Sequence, residues 1–192
     1  MVVKAVTGYS PEDLLTMPDG DRYELVDGQL VEKDMSYKSS YVSGRAYAKL
    51  NAKIEPENLG WLAPEGVTYQ CFATDPRRVR KADVSFIELD RLTDDQFTSE
   101  GHCTVVPDLA VEVISPNDHS YDVERKAEEW LEAGVRVVWI IHPEIKTVRV
   151  LRRDGSDSRL HISDTLTCEE LLPGFACPVA ALFETPKRKA AK

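Results

Sequence analysis

The sequence predicts an α/β protein built on a mixed β-sheet that is flanked by α-helices. Residues 106–116 form a β-branched run with Glu112 at its centre, which is typical of a strand buried on both faces. An amphipathic helix is predicted between residues 117 and 134, and a second wholly apolar strand follows at 137–141. This order of strand, helix and strand predicts two parallel neighbouring strands joined by a crossover.

The length and composition indicate one globular domain. The chain has 192 residues, of which 42% are hydrophobic, so it is long enough to bury a substantial core. We predict a single domain over residues 1–185 and a basic, disordered tail over 186–192. No stretch has the length of a membrane span, and the first residues lack the pattern of a signal peptide, so we expect a cytoplasmic protein.

Charge and cysteine content narrow the function classes. The net charge of -9 argues against a protein that binds nucleic acid with its whole surface. Two local basic patches are predicted, one formed by Arg77, Arg78, Arg80 and Lys81 and one by the C-terminal tail, for which a solvated terminus is the simpler interpretation. The four cysteines have neither zinc-ligand nor disulfide spacing, so they are interpreted as small hydrophobic residues.

The N-terminal elements are a short helix and a hairpin. Ser10 is the predicted N-cap of a helix that ends before Pro18. The Asp-Gly pair between residues 22–26 and 29–32 predicts a tight β-hairpin.

A longer helix and a third group of strands follow. Small and apolar residues recur at helical spacing over 39–54, and Pro56 is expected to end that helix. Strand candidates follow at 61–62 and 66–72, and a further strand is predicted at 81–87.

The remaining segments complete the sheet and close the domain. Residues 88–102 are polar and are predicted to be a surface loop with at most one helical turn. Strands are predicted at 147–151 and 159–162, and a helical turn at 179–183. Trp130 and Trp139, which lie in apolar stripes, are predicted core residues.

The acidic residues suggest a chemical site. An ionised Glu112 inside an apolar strand must be paired or must hold a metal, although a position facing solvent is an alternative interpretation. Asp83 lies on another apolar strand, Glu24 on an earlier one, and Lys126 follows Glu112 by 14 positions. Acids that converge at one end of a sheet form an oxygen-rich pocket suited to magnesium, and a nearby lysine can hold water or phosphate.

Four sequence blocks resemble one known family. They are 22–32, 80–87, 107–116 and Lys126 together with residues 133–135 and 139–140. In this order they resemble the Uma-two family of restriction endonucleases over nearly the whole chain. The resemblance implies the PD-(D/E)XK nuclease fold, a restriction-endonuclease-like mixed β-sheet flanked by α-helices, with acids and a lysine around magnesium.

The resemblance assigns a role to each candidate residue. Asp83 matches the first metal-binding acid and Glu112 the second, so both are expected to ligate Mg²⁺, which Mn²⁺ can replace. Glu24 matches an early glutamate that supports the site. Ile114 stands where the usual motif has a lysine, and Lys126 matches a lysine moved to the following helix.

Two departures from the family pattern concern other positions. Ala82 stands where a proline commonly precedes the first acid, and Ser39 stands where members often carry a histidine. The proline touches no metal, so its loss should matter little. The histidine could be a substrate contact.

The resulting functional hypothesis is a metal-dependent endonuclease that hydrolyses phosphodiester bonds in nucleic acid, expected to be DNA. A homodimer is expected by analogy with nucleases that cut both strands. Two alternatives are a non-catalytic scaffold that retains the nuclease fold and a hydrolase of another phosphoester.

Overall fold

The computed structural model describes residues 8–33 and 35–186. Its helices are α1 (Pro11–Thr16), α2 (Tyr37–Glu57), α3 (Asp94–Phe97), α4 (Ser120–Ala133) and α5 (Ala180–Phe183). Its strands are β1 (Tyr23–Val26), β2 (Gln29–Glu32), β3 (Gly60–Pro64), β4 (Val84–Glu88), β5 (Leu109–Val113), β6 (Val137–His142), β7 (Thr147–Arg152), β8 (Asp157–Leu160), β9 (Thr165–Thr167) and β10 (Ala176–Pro178).

Six of these strands form one mixed sheet in the order β3-β4-β5-β6-β7-β8. Strands β5 and β6 are parallel, as predicted, and all other neighbours in this sheet are antiparallel. Helix α4 is the connection between β5 and β6, because parallel neighbours need a long crossover. The predicted mixed sheet with flanking helices is confirmed.

Both faces of β5 are buried, which explains its continuous apolar sequence. Leu109, Val111 and Val113 lie in the core shared with α2. Ala110 alternates with them and lies in the second core, with Trp130 of α4. Glu112 therefore points toward the α4 side of the sheet.

Helix α2 covers the opposite side through Val42, Ala46, Leu50 and Ile54, which recur every four residues. The prediction that Pro56 ends this helix is wrong by one residue. Pro56 lies in the last turn, and Asn58 closes the helix in the left-handed conformation, with its N–H donating to backbone carbonyls.

The N-terminal hairpin was predicted correctly. Strands β1 and β2 are antiparallel, and Asp27 and Gly28 both have positive φ, as a two-residue type I′ turn requires. The hairpin attaches to the segment before β4, since Leu25 and Val79 exchange two backbone hydrogen bonds of 2.9 Å. That attachment places β1 beside the start of β4.

Several strand predictions need correction. Strand β4 begins at Val84, three residues later than predicted. Residues 66–72 form no strand, and Tyr69 makes only isolated bridges. This segment crosses the α4 side of the sheet, where the Tyr69 hydroxyl donates to the Ser85 hydroxyl. Strand β8 begins at Asp157, two residues earlier than predicted. The pair formed by β9 and β10 was not predicted, because each strand has only three residues.

The predicted basic patch at residues 77–81 is not a surface patch. Arg80 and Lys81 are each only 3% exposed, and Arg78 is half-buried near Glu129. Arginine is rarely buried without a partner, and Arg78 and Arg80 both belong to internal ion pairs. The predicted tail lies outside the described residues except for Pro186.

Residues 88–102 contain two helical turns, Leu89–Arg91 and α3, and not at most one as predicted. The interpretations of the tryptophans and cysteines agree with the structure. Trp130 and Trp139 are fully buried, and all four cysteines are free, with Cys168 and Cys177 in the core. Within the described ranges, no helix has both the length and the apolar character needed to cross a bilayer.

Leu50→Ala should lower the free energy of unfolding by about 2–5 kcal/mol, because Leu50 is 0% exposed between α2 and the sheet. The matched control is Leu15→Ala, the same change at a residue that is 52% exposed, which should cost less than about 1 kcal/mol. Urea denaturation measures both values, and equal losses would contradict this description of the core.

Candidate active site

The strand register brings Asp83 and Glu112 face to face. Strand β4 pairs with β5 so that Val84 lies opposite Val111, and one further step places Asp83 opposite Glu112. The pairing continues there, since the Asp83 N–H donates to the Val111 carbonyl at 2.9 Å and Asp83 Oδ2 accepts from the Val113 N–H at 2.5 Å. Like charges directly opposite each other destabilise a sheet, so nearby positive charge is required.

Helix α4 supplies two donors to Glu112. The indole Nε1 of Trp130 donates to Glu112 Oε1 at 2.8 Å, and the ammonium Nζ of Lys126 donates to Oε2 at 2.9 Å. Residues four apart lie on the same side of a helix, which explains why both reach one carboxylate. The orientation of Glu112 is thereby fixed.

Glu24 of β1 holds Lys126 from the other side. Glu24 Oε1 is 2.8 Å from Lys126 Nζ and accepts the Lys81 N–H at 2.8 Å. Lys126 Nζ also donates to the Lys81 carbonyl at 2.7 Å. The lysine ammonium therefore has three acceptors within reach, and its position is well defined.

A buried arginine supports Glu24. Arg80 Nη1 lies 2.8 Å from Glu24 Oε2, and Arg80 Nε lies 2.7 Å from Glu129 Oε2. Glu129 follows Lys126 by one helical turn on α4. By bonding both glutamates, Arg80 links helix α4 to strand β1.

A second lysine, Lys33, lies on the Asp83 side. Lys33 Nζ is 2.6 Å from Asp83 Oδ1 and donates to the Lys81 carbonyl at 3.1 Å. The ammonium groups of Lys33 and Lys126 thus converge on one backbone oxygen. Each neutralises one member of the acidic pair.

The pKa values of the Glu112 and Glu24 carboxyl groups are shifted in opposite directions. Burial raises the pKa of the Glu112 carboxyl, and Asp83 and Glu24 add to the rise, while Lys126 and Lys33 offset it only in part. Burial also favours the neutral form of Glu24, but Lys126, Arg80 and Lys33 outweigh it and hold its pKa well below the ordinary range. Glu24 is therefore a stabilised anion, whereas an ionised Glu112 costs folding free energy.

These groups line a cavity of about 320 Å³. Its acidic lining residues are Glu24, Glu32, Asp83, Glu112, Asp118 and Asp122, and its basic ones are Lys33, Arg80, Arg125 and Lys126. Such a volume is within the range of pockets that hold small ligands. The lining offers both carboxylates for a cation and ammonium groups for a phosphate.

The acidic pair fits a hard divalent cation. Within residues 8–33 and 35–186, no three His, Cys, Asp or Glu side chains are grouped as a metal site. Magnesium, however, commonly takes only one or two carboxylates and keeps several waters. Asp83 Oδ1 is buried and accepts no well-directed hydrogen bond from the described residues, so it is available as a ligand once the Lys33 ammonium moves.

The four residues selected from the sequence are therefore together in the structure: Asp83, Glu112, Glu24 and Lys126. Sequence reasoning missed Lys33, Arg80, Glu129 and the hydrogen bond of Trp130. Glu129 could have been found, because it lies one turn beyond Lys126. Two positions that depart from the family pattern lie in different parts of the structure. Ile114 lines the cavity, whereas Ser39 is buried at the start of α2, where its hydroxyl donates to the Ser36 carbonyl.

A nuclease-like fold is indicated by comparison with a solved structure, described as a putative nuclease belonging to DUF820 from Anabaena variabilis. It is 18% identical in sequence, with a TM-score of 0.76, and the match covers 91% of this chain and 97% of that one. At this identity the likeness shows the fold alone. None of the curated proteins matches the sequence significantly.

A match to a family model assigns the chain to a protein family. Residues 11–180 match the model of the Uma2 family, whose description is "Putative restriction endonuclease". The match spans most of the chain and includes every residue of the acidic site. The chain belongs to the Uma2 family.

The pKa values of Glu112 and Glu24 are shifted in opposite directions, so replacing each glutamate by glutamine should change the melting temperature in opposite directions. At neutral pH without divalent metal, Glu112→Gln should raise the melting temperature, because it removes a carboxylate whose charge is disfavoured in the fold. Glu24→Gln should lower the melting temperature, because it removes a favoured anion.

The pH dependence gives a second check by differential scanning calorimetry. Below its raised folded pKa, the wild-type Glu112 becomes protonated, so the advantage of Glu112→Gln should disappear as pH falls. The cost of Glu24→Gln should persist until pH falls below the ordinary carboxyl range, where the unfolded chain takes up protons. Destabilisation by both variants at neutral pH would contradict these charge assignments.

Proposed function

We propose that this protein is a metal-dependent endonuclease that hydrolyses phosphodiester bonds in nucleic acid. The observation that carries the proposal is the opposed pair Asp83 and Glu112, with Lys126 bonded to Glu112 on the wall of one cavity. Membership of a family described as restriction endonucleases and the fold shared with a nuclease-titled structure support it.

Asp83 and Glu112 would hold the metal in this proposal. Magnesium is the expected ion, and manganese can replace it, because both accept carboxylate oxygens. When bound, the ion would supply positive charge to the phosphoryl group and favour ionisation of water.

The other side chains have separate roles. Trp130 orients the Glu112 carboxylate through its indole N–H. Lys126 is proposed to place its ammonium against an oxygen of the scissile phosphate or the attacking water, as a fixed charge that needs no rearrangement. Glu24 holds Lys126 in that position and is itself held by Arg80.

The substrate is proposed to be DNA, in keeping with the description of the family. The acidic surface expected from a net charge of -9 makes binding depend on local groups at the cavity. Arg125 lines the cavity and lies 6.0 Å from the ring of exposed Tyr121, which offers a surface for base stacking.

A homodimer and a cytoplasmic location complete the proposal. Two-fold symmetry would present two sites to the two strands of a duplex. The four free cysteines support a reducing compartment.

The alternative function is a non-catalytic scaffold. It is favoured by one observation, the pairing of Glu24, Asp83 and Glu112 with cationic side chains of the same chain. An internal salt-bridge cluster can be purely structural. Metal binding and cleavage distinguish the two functions.

The first test combines the two proposed metal ligands. The double variant Asp83→Asn, Glu112→Gln should lose calorimetric Mn²⁺ binding and all cleavage, because the oxygen ligands lose their charge. Cleavage is assayed on plasmid, single-stranded DNA and RNA, with and without Mg²⁺ or Mn²⁺. The matched control is Asp90→Asn, Glu100→Gln, the same changes at exposed positions. Equal Mn²⁺ binding by wild type and the first variant would count against the metal site.

The second test concerns Lys126. Lys126→Met keeps most of the side-chain stem but removes the charge, so cleavage should fall about 10²–10³-fold while the fold and metal binding persist. Lys53→Met is the control, since Lys53 forms an i,i+4 pair with Glu57 on α2. Normal cleavage by folded Lys126→Met would refute the catalytic role, and no cleavage by wild type on any substrate would favour the scaffold.

A further inference from the structure

Lys33 occupies the place that a metal ion would need. Its ammonium lies 2.6 Å from Asp83 Oδ1, and this oxygen accepts no well-directed hydrogen bond from the rest of the described chain. The other carboxylate oxygen of Asp83 is already bonded to the Val113 N–H. A cation that binds Asp83 through Oδ1 therefore meets the Lys33 ammonium first.

Lys33 has a second acidic side chain near its ammonium group. Glu65 Oε1 lies 3.9 Å from its Nζ, and the Glu65 side chain is much more exposed than that of Asp83. Lys33 also lines the cavity, so its ammonium can move toward solvent without leaving the site. The long, flexible lysine stem has the rotatable bonds that such a movement needs.

Lys33 lies among acidic groups. Its ammonium pairs with Asp83 at 2.6 Å, and Asp83, Glu24 and Glu112 line the same cavity as Lys33. In the metal-free protein Asp83 therefore faces a positive charge.

We propose that Lys33 is the resident counterion of Asp83 and that a divalent cation binds only by displacing the Lys33 ammonium into the cavity. The proposal rests on the proposed metal-dependent function and adds its regulation. A nucleic-acid phosphate in the cavity would accept the displaced ammonium, so metal and substrate favour each other's binding. Metal binding without substrate is then weak.

The test measures Mn²⁺ affinity by calorimetry in the absence of nucleic acid. Lys33→Met removes the competing charge and keeps the stem, so it should bind Mn²⁺ at least about tenfold more tightly than wild type. Lys33→Arg keeps the charge and should bind weakly, as wild type does. Lys53→Met, which removes a lysine charge outside the cavity, should leave the affinity unchanged.

Coupling to substrate is measured with a short unmodified DNA duplex, whose integrity at the end of the titration is checked on a gel. The duplex should tighten Mn²⁺ binding by wild type at least about fivefold, and this gain should shrink in Lys33→Met. Equal Mn²⁺ affinities of wild type and folded Lys33→Met would overturn the proposal.

A measurement on the wild-type protein covers the case in which Lys33→Met does not fold. Reductive methylation followed by mass spectrometry should label Lys33 slowly without metal and faster with saturating Mg²⁺, because the displaced amine is more accessible. Exposed Lys38, which pairs with Glu144, is the internal control and should not change. Unchanged labelling of Lys33 would overturn the proposal.

These outcomes separate the proposal from the nuclease function. Cleavage by wild type with equal Mn²⁺ affinity in Lys33→Met would leave the nuclease intact and remove the role of Lys33. The opposite case is a protein that cleaves nothing, in which Lys33→Met binds Mn²⁺ more tightly and the added Asp83→Asn change abolishes that binding. This result would support the role of Lys33 and count against the nuclease function.

Discussion

The rest of the structure depends on two like charges held opposite each other on neighbouring strands. The register of β4 against β5 places Asp83 across from Glu112 at the end of the paired segment. In a sheet that is buried on both faces this arrangement opposes folding, because each carboxylate loses water and repels the other. The raised pKa of Glu112 records that cost. Positive charge must therefore be brought to the pair from elsewhere in the chain.

The chain brings it from two directions. Helix α4 contributes Lys126 from beyond β5, and the hairpin contributes Lys33 from the end of β2, so each acid receives one ammonium. The hairpin also carries Glu24, which bonds Lys126 and is bonded by Arg80. Elements that are distant in sequence are thus tied together at one point. Such a cluster often contributes less to stability than apolar residues of the same volume would, and we propose that the chain uses it as a functional site.

Much of this could be predicted from the sequence, and the remainder has a physical reason. The wholly apolar strands and the Asp-Gly hairpin have strong local signals, and Glu112 stands out because it interrupts an apolar run. Lys33 gives no such signal, because a lysine after a short exposed strand resembles any solvated residue. Arg80 was assigned to a surface patch for the same reason, although the bridge between Leu25 and Val79 buries it against Glu24. The burial and partners of Lys33 and Arg80 depend on contacts between segments that are distant in sequence. The local periodicity of apolar residues carries no information about such contacts.

We propose that the opposed carboxylates of Asp83 and Glu112 bind one divalent ion. Anomalous diffraction at the manganese edge, from crystals grown with Mn²⁺, tests it most directly. We expect one strong peak between the carboxylates of Asp83 and Glu112, with the Lys33 ammonium moved away from Asp83. A well-ordered site with no peak, with Lys33 still bonded to Asp83 at saturating Mn²⁺, would contradict it.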